Sequence, residues 1–315
     1  MAGVAQDNND SASTAALSRV LQAIGGVEVV ERLASLSGSD FTTVMLDVAR
    51  RRAATQTPAT VLRRYRSDRF AQPGGAPWRR LRRAEDALVA GLPAEFELLT
   101  LGPVVPLGAH SALGPVSQDK VITAMRACEV AADPTNALAL EAAVRRIAHR
   151  DEEVRLAALQ RVVRAQPIPA GYLAHFTLLG LVTAGRDVGG HRFEREAVAE
   201  HVRAIAAGLA AVPFAGIQLA LTPLTRTGAT VAAAVEALLA AAPAEVVLDH
   251  DRDAGRGYYR ELCYKINVRV DGSWAEVGDG GFADWTARLA ANSKERLLIT
   301  GVGVDRVAAL SSEAR

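Results

Sequence analysis

Residues 297–310 read LLITGVGVDRVAAL, and the reading of this stretch decides the fold. Leu297, Leu298 and Ile299 form an apolar run of the kind that makes a buried strand. Gly301 and Gly303 then alternate with Val302 and Val304. Side chains alternate across a strand, so the glycines leave one face bare while the valines fill the other. Glycine within a strand weakens it and marks places where a ligand or another backbone comes close. Asp305 and Arg306 follow at once, and Val307, Ala308, Ala309 and Leu310 continue with helical spacing. An arginine just past a bare strip, at a strand-to-helix junction, is placed to hold phosphate. Taken alone, the stretch reads equally well as a glycine-containing strand packed under a helix with a surface arginine.

Working outward, AGRGYYRELCYKINVRV (254–270) reads as a long strand opened by Arg256, Tyr258 and Tyr259, and GDGGFADW (278–285) brings the pair Gly280-Gly281. Residues 154–183 give two strand-like runs around a proline-containing turn, a hairpin with Val163-Arg164-Ala165-Gln166 at the end of its first arm. A helix over 191–211 follows it, then a strand over 216–224 and a helix over 228–243. Asp133-Pro134-Thr135 starts a capped helix over 133–147. Upstream, FELLTL (96–101) reads as a strand ended by Pro103 and Pro106, and residues 110–132 carry further strand candidates. DHDRD (249–253) reads as a polar turn, because adjacent ligands at that spacing do not converge on a metal.

The first 13 residues are polar and small and read as disordered. Residues 14–75 read as short helices and a linker marked by Pro73-Gly74-Gly75, and the main domain is expected over 76–315. Residues 50–83 are arginine-rich, which fits either an RNA or phosphate surface or solvated helix faces paired with acids elsewhere. The net charge of +1 and sparse aromatics favour the second. Of the 315 residues 50% are hydrophobic and 23% charged, as in an ordinary soluble domain. Cys128 and Cys263 are far apart and fit neither a metal site nor a disulfide framework. There is no apolar run of membrane-spanning length and no signal peptide, so a cytoplasmic location is expected.

The glycine strand ending in Asp305-Arg306 resembles motif 3 of the class II aminoacyl-tRNA synthetases. The hairpin carrying Arg164 resembles their motif 2, and the helix from Trp78 with its following strand resembles motif 1 in outline. Within that class, Gly255-Arg256-Gly257-Tyr258-Tyr259 is similar to the histidyl-type signature Arg-Gly-x-Asp-Tyr-Tyr, short of two residues, and Gly280-Gly281 is similar to the glycine pair before motif 3. The resemblance covers about residues 78–310. It implies an α+β fold, a mainly antiparallel sheet flanked by helices, with a small helical N-terminal region.

It also implies a chemistry. Class II sites join a carboxylate to ATP as an acyl-adenylate, and fixed cations offset the repulsion between the two anions. By resemblance Arg164 and Arg306 are the catalytic cations. Arg164, Gln166, Gly301, Gly303, Asp305 and Arg306 would hold ATP with Mg²⁺. Arg256, Tyr258, Tyr259, Gly280 and Gly281 would hold a small carboxylate or amino acid. A homodimer is implied by motif 1. Gln166 stands where motif 2 has an acid, the hairpin turn is short with Tyr172 its nearest aromatic, and no anticodon-binding domain follows Arg315. The expected function is an ATP-dependent adenylate-forming ligase that is not a complete tRNA synthetase. The alternative is a non-catalytic regulatory or ligand-binding paralogue, similar to the regulatory subunit of ATP phosphoribosyltransferase. A third reading makes the arginine-rich segment an RNA-binding appendage.

Overall fold

The computed structural model describes residues 3–167, 174–252, 255 and 257–311. They fall into two units, one running up to Arg64 and including Ala124–Ala127, the other holding the remainder. The first is helical: α1 (Gly3–Ile24), α2 (Val27–Ser35), α3 (Gly38–Ala54) and most of α4 (Pro58–Ser67). Gly25 and Gly26, both at positive φ, break the chain between α1 and α2. The Ser37 side chain accepts from the Asp40 amide and caps α3. Helix α1 takes in residues 3–13, whose polar composition reads as disordered, so the expectation and the structure differ here. None of the side chains of α2, α3 or α4 is buried.

The second unit is built on an eight-stranded sheet. It begins with α5 (Trp78–Ala90), β1 (Glu97–Leu98), β2 (Val104–Pro106), α6 (Ala109–Leu113), β3 (Thr123–Ala124), β4 (Cys128–Val130) and α7 (Pro134–Ala148). The hairpin β5 (Val154–Val163) and β6 (His175–Arg186) leads to α8 (Arg192–Ala210), β7 (Ile217–Pro223), α9 (Arg226–Leu238) and β8 (Glu245–Leu248). The chain closes with β9 (Arg260–Val270), β10 (Ser273–Ala283), α10 (Trp285–Leu289), β11 (Glu295–Gly303) and α11 (Val304–Leu310). The strand order is β1-β5-β6-β11-β10-β9-β7-β8. Only the outermost pairs, β1 with β5 and β7 with β8, are parallel. Strands β2, β4 and β3 form a separate small sheet.

Alternation along the strands divides the core in two. One face carries Leu179, Leu181, Leu219, Leu221 and Val302 into a cluster with Val198, Val202 and Ile205 of α8 and Val307 of α11. The other carries Leu156, Val182, Cys263 and Ile299 against Leu138 and Ala142 of α7 and Trp285 of α10. Behind the glycine strand runs a buried hydrogen-bonded chain. Tyr264 Oη meets Thr300 Oγ1 at 2.6 Å, Thr300 meets His201 Nδ1 at 2.6 Å, and His201 Nε2 meets Thr183 Oγ1 at 2.9 Å. Burial holds His201 neutral, its pKa pushed down to about 3.

The fold is α+β and mainly antiparallel, as the resemblance implied. Local departures have local causes. The strand expected over 96–101 shrinks to Glu97–Leu98, an edge strand that pairs with β5 alone. Residues 110–132 hold α6 and two short strands, and the long strand expected from 254 begins at Arg260. Among the described residues no helix is long and apolar enough to cross a membrane.

Candidate ligand site on the glycine face

Gly301 of β11 lies opposite Gly180 of β6 on one side and Asp279 of β10 on the other. A Cβ added at Gly301 would meet nothing within 4 Å, whereas one at Gly180 would come to 2.7 Å from Pro134 Cγ. The first turn of α7 therefore roofs Gly180, and open floor starts at Gly301. Val302 and Val304 are fully buried on the opposite side. The bare face read from the sequence is present, and the valines fill the other. The row continues from Asp279 to Lys265, which lines a groove of about 490 Å³ with Gln218, Asn267, Trp274 and Glu276.

One wall is Arg164, just past β5. Its Nε donates to the Ala132 carbonyl at 3.1 Å and its Nη2 lies 3.2 Å from Asp133 Oδ2, with the guanidinium 5.2 Å from the Phe176 ring centroid. Asp133 is also the N-cap of α7, its Oδ1 accepting from the Thr135 amide at 2.9 Å and hydroxyl at 2.7 Å. The Ala132 backbone is set from behind. Its N–H donates to His110 Nε2 at 3.1 Å, so the ring proton sits on Nδ1 and is donated to Glu129 Oε1 at 2.5 Å. Glu129 is fully buried and also accepts from the Gly108 and His110 amides and Gln118 Nε2. Desolvation acts to raise its pKa, but these donors outweigh it and hold the carboxyl below its usual range.

The facing wall is built on β9 and β10. Gly255, at positive φ, lets its carbonyl accept from both the Tyr258 and Tyr259 amides, at 3.0 Å each. The turn stacks the rings edge-on, Tyr258 against Tyr259 at 4.9 Å and against Trp285 at 5.7 Å. Tyr259 Oη donates to Asp279 Oδ2 at 3.1 Å, and Arg252 Nη2 reaches the same oxygen at 3.1 Å. Arg252 is only 5% exposed. Desolvation raises the Asp279 pKa against the pull of Arg252 and Tyr259, although the side chain keeps 40% exposure at the cleft. Desolvation also raises Tyr258 well above its ordinary value; the charges of Asp133 and Asp279 add to this and Arg164 opposes it. Both walls therefore act on the Tyr258 hydroxyl.

The sequence-predicted residues divide among these surroundings. Gly301, Arg164, Tyr258 and Tyr259 share one face of the sheet. Gly281 lies beneath the Tyr259 ring, where a Cβ would come to 2.6 Å, and Gly280 packs against Tyr264 on the other face. A Cβ at Gly303 would lie 3.5 Å from Arg306 Cβ. Asp305 is buried and accepts from the Thr177 amide at 2.7 Å, tying α11 to the hairpin. Arg306 donates through Nε to the Glu276 carbonyl. The Gln166 carbonyl accepts from Arg69 at 2.9 Å. Arg256 and Tyr172 lie outside the described residues. Three site residues escaped the sequence reading: Asp133 was read as the start of a capped helix, Arg252 as part of a polar turn, and Asp279 was passed over beside the Gly280-Gly281 pair.

ATP and Mg²⁺ can be tested against this geometry. The open floor at Gly301 fits a base or ribose. The phosphate end does not fit as it stands, because Asp133 occupies the guanidinium that would face the phosphate. Among the described residues no three His, Cys, Asp or Glu side chains gather as a metal site.

This fold recurs in solved structures. The fold is that of the class II aminoacyl-tRNA synthetases. The chain is similar to an ATP phosphoribosyltransferase regulatory subunit/histidyl-tRNA synthetase from Bacillus halodurans, with a TM-score of 0.60 and 12% identity over 78% of this chain and 83% of that one. It is similar to the apo histidyl-tRNA synthetase of S. aureus, with a TM-score of 0.56 and 12% identity over 74% of this chain and 65% of that one. A histidine–tRNA ligase subunit from Alicyclobacillus acidocaldarius gives 0.56 and 14% over 76% and 95%. No protein-family model and no curated protein matches the chain. On the class II synthetase-like fold, Arg164 stands on the hairpin and Gly301 on the terminal strand, the elements read as motifs 2 and 3.

Proposed function

We propose that this chain is a ligand-binding, non-catalytic protein on the class II synthetase-like fold, holding an amino acid or a related small carboxylate. The observation that carries this reading is the pairing of Arg164 with Asp133 at 3.2 Å. An adenylate-forming site must present uncompensated positive charge where phosphate charge develops. Here a carboxylate stands at that position, and an incoming phosphate would meet like charge. The cleft instead offers Asp133 and Asp279 as acceptors for the ammonium group of such a ligand, beside the Tyr258 hydroxyl.

The test is calorimetric titration with a panel of amino acids, with and without ATP-Mg²⁺, beside a pyrophosphate-exchange assay. Amino-acid binding that needs no ATP, with no exchange, is the expected result. Exchange that depends on ATP and is lost in Arg164→Ala would overturn the reading. The second reading, an adenylate-forming ligase, is favoured by the open floor at Gly301, which leaves room for a nucleoside.

A homodimer belongs to the same proposal. Leu99, Val105 and Leu140 line a groove of about 530 Å³ beside α7, and Val104, Val144 and Ile147 at its rim are exposed. A concentration-dependent sedimentation shift, weakened by Val144→Lys, is the expected outcome; a monomer at all concentrations would remove it.

A further inference from the structure

The arginine-rich segment takes no part in the cleft, and it is where the charge of the chain is concentrated. Residues 50–83 contain eleven arginines and one acid, Asp68, while the rest of the chain carries 25 basic and 34 acidic residues. The near-neutral total therefore hides a strongly basic segment on an acidic protein. If these arginines were solvated faces balanced by acids elsewhere, the structure would pair them. Arg64 and Arg80 have partners. Arg51 meets Asp47 and Arg82 meets Glu85 and Asp86, each within one helix turn, and Arg69 donates to the carbonyls of Ala165 and Gln166. Arg66, Arg79 and Arg83 are exposed, and among the described residues their guanidinium groups form no ion pair with an acid.

Aromatic side chains stand beside them. Trp78, the first residue of α5, is 72% exposed and directly precedes Arg79. Tyr65 is 44% exposed and directly precedes Arg66. An indole left this open gains nothing from the core, and a large exposed aromatic next to unpaired guanidinium groups has the chemistry of a stacking platform. Guanidinium forks bind phosphate oxygens bidentately, and an aromatic face accepts any unpaired base. Duplex nucleic acid offers phosphates but keeps its bases stacked, so the aromatic residues favour a single strand.

We propose that the stretch Tyr65–Arg83 binds single-stranded nucleic acid, with Arg66, Arg79 and Arg83 on the phosphates and Trp78 and Tyr65 stacking on bases. The site is separate from the glycine-face cleft and does not depend on what that cleft holds.

The experiment is fluorescence anisotropy of a labelled oligouridine of about twenty nucleotides, titrated with the full chain at about 50 mM salt and again at rising salt. Wild type is expected to bind, with an affinity that falls steeply as salt increases. Arg66→Gln, Arg79→Gln and Arg83→Gln together should weaken binding by roughly tenfold or more and flatten the logarithmic salt slope by about 0.7 per arginine removed. Trp78→Ala should weaken binding roughly fivefold or more with the slope unchanged. A control with the same charge change, at Arg150, Arg186 and Arg226, should leave affinity within about twofold. Far-ultraviolet dichroism checks that each variant is folded. The proposal is overturned by no binding at low salt, by a control variant as weak as the test variant, or by tighter binding to vesicles of anionic lipid than to the oligonucleotide.

Discussion

Arg164 and Asp133 meet at 3.2 Å in one wall of the cleft, and each is held by a second attachment. Arg164 also donates to the Ala132 carbonyl, and Asp133 also caps α7. The pair therefore removes a cation from the sheet face and fixes the start of the helix above it.

Asparagine caps a helix about as well as aspartate but carries no charge. Asp133→Asn should keep α7 capped, leave stability within about 0.5 kcal/mol, and release Arg164 for an anion. ATP or pyrophosphate binding should then be tighter than in wild type by calorimetry. Asp133→Ala should lose about 1 kcal/mol in urea unfolding as well, because the cap goes too. If Asp133→Asn binds nucleotide no better than wild type, Asp133 is not what blocks it.

The glycines of the sheet should respond by position. Gly301→Ala adds a methyl to open space and should leave unfolding nearly unchanged while reducing affinity for whatever rests on the floor. Gly281→Ala drives a methyl to 2.6 Å from the Tyr259 ring and should cost about 1–3 kcal/mol. Equal unfolding midpoints for the two variants would contradict the placement of Tyr259.

Arg146 and Glu295 form a buried bidentate pair between α7 and β11, with Nε to Oε2 at 2.8 Å and Nη2 to Oε1 at 3.0 Å. Removing one partner strands the other charge in the core. Arg146→Ala should cost about 3–5 kcal/mol, and the double change Arg146→Met with Glu295→Leu clearly less. A single-variant loss below about 1 kcal/mol, read by urea unfolding, would show the pair to be solvated.

His201 sets a pH dependence. Its folded pKa is about 3, below the ordinary histidine value of 6.5. The unfolded chain therefore binds the additional proton as pH falls through 6.5, and the native state does not until about 3. Stability should drop across that window by about 1.4 kcal/mol per pH unit from this group. His201→Gln should flatten that part of the profile in urea titrations at several pH values. An unchanged slope would mean that His201 protonates in the folded protein.

What the sequence made legible was whatever repeats locally. The hairpin of β5 and β6, the capped start of α7 and the glycine alternation of β11 each announce themselves within a few residues, and all three are present. The contents of the cleft were harder to read. Asp133 looks like a helix cap because it is one; its second role depends on Arg164, 31 residues away. Arg252 sits in a run of charged residues that signals solvent, and its burial follows from Tyr259 and Asp279 arriving on other strands. The four-residue β8 is too short to show a period. The arginines of 50–83 were visible, but a whole-chain charge near zero masked their separation from the acids.

The chain of Tyr264, Thr300, His201 and Thr183 behind the glycine strand bears on how the cleft selects. Gly301 has no side chain with which to adapt, and the residue before it is fastened from below on a neutral ring that changes protonation only near pH 3. The floor is stiff across the physiological pH range. Selection at this surface must therefore come from the outline of the guest, since the protein beneath it has little freedom to remould.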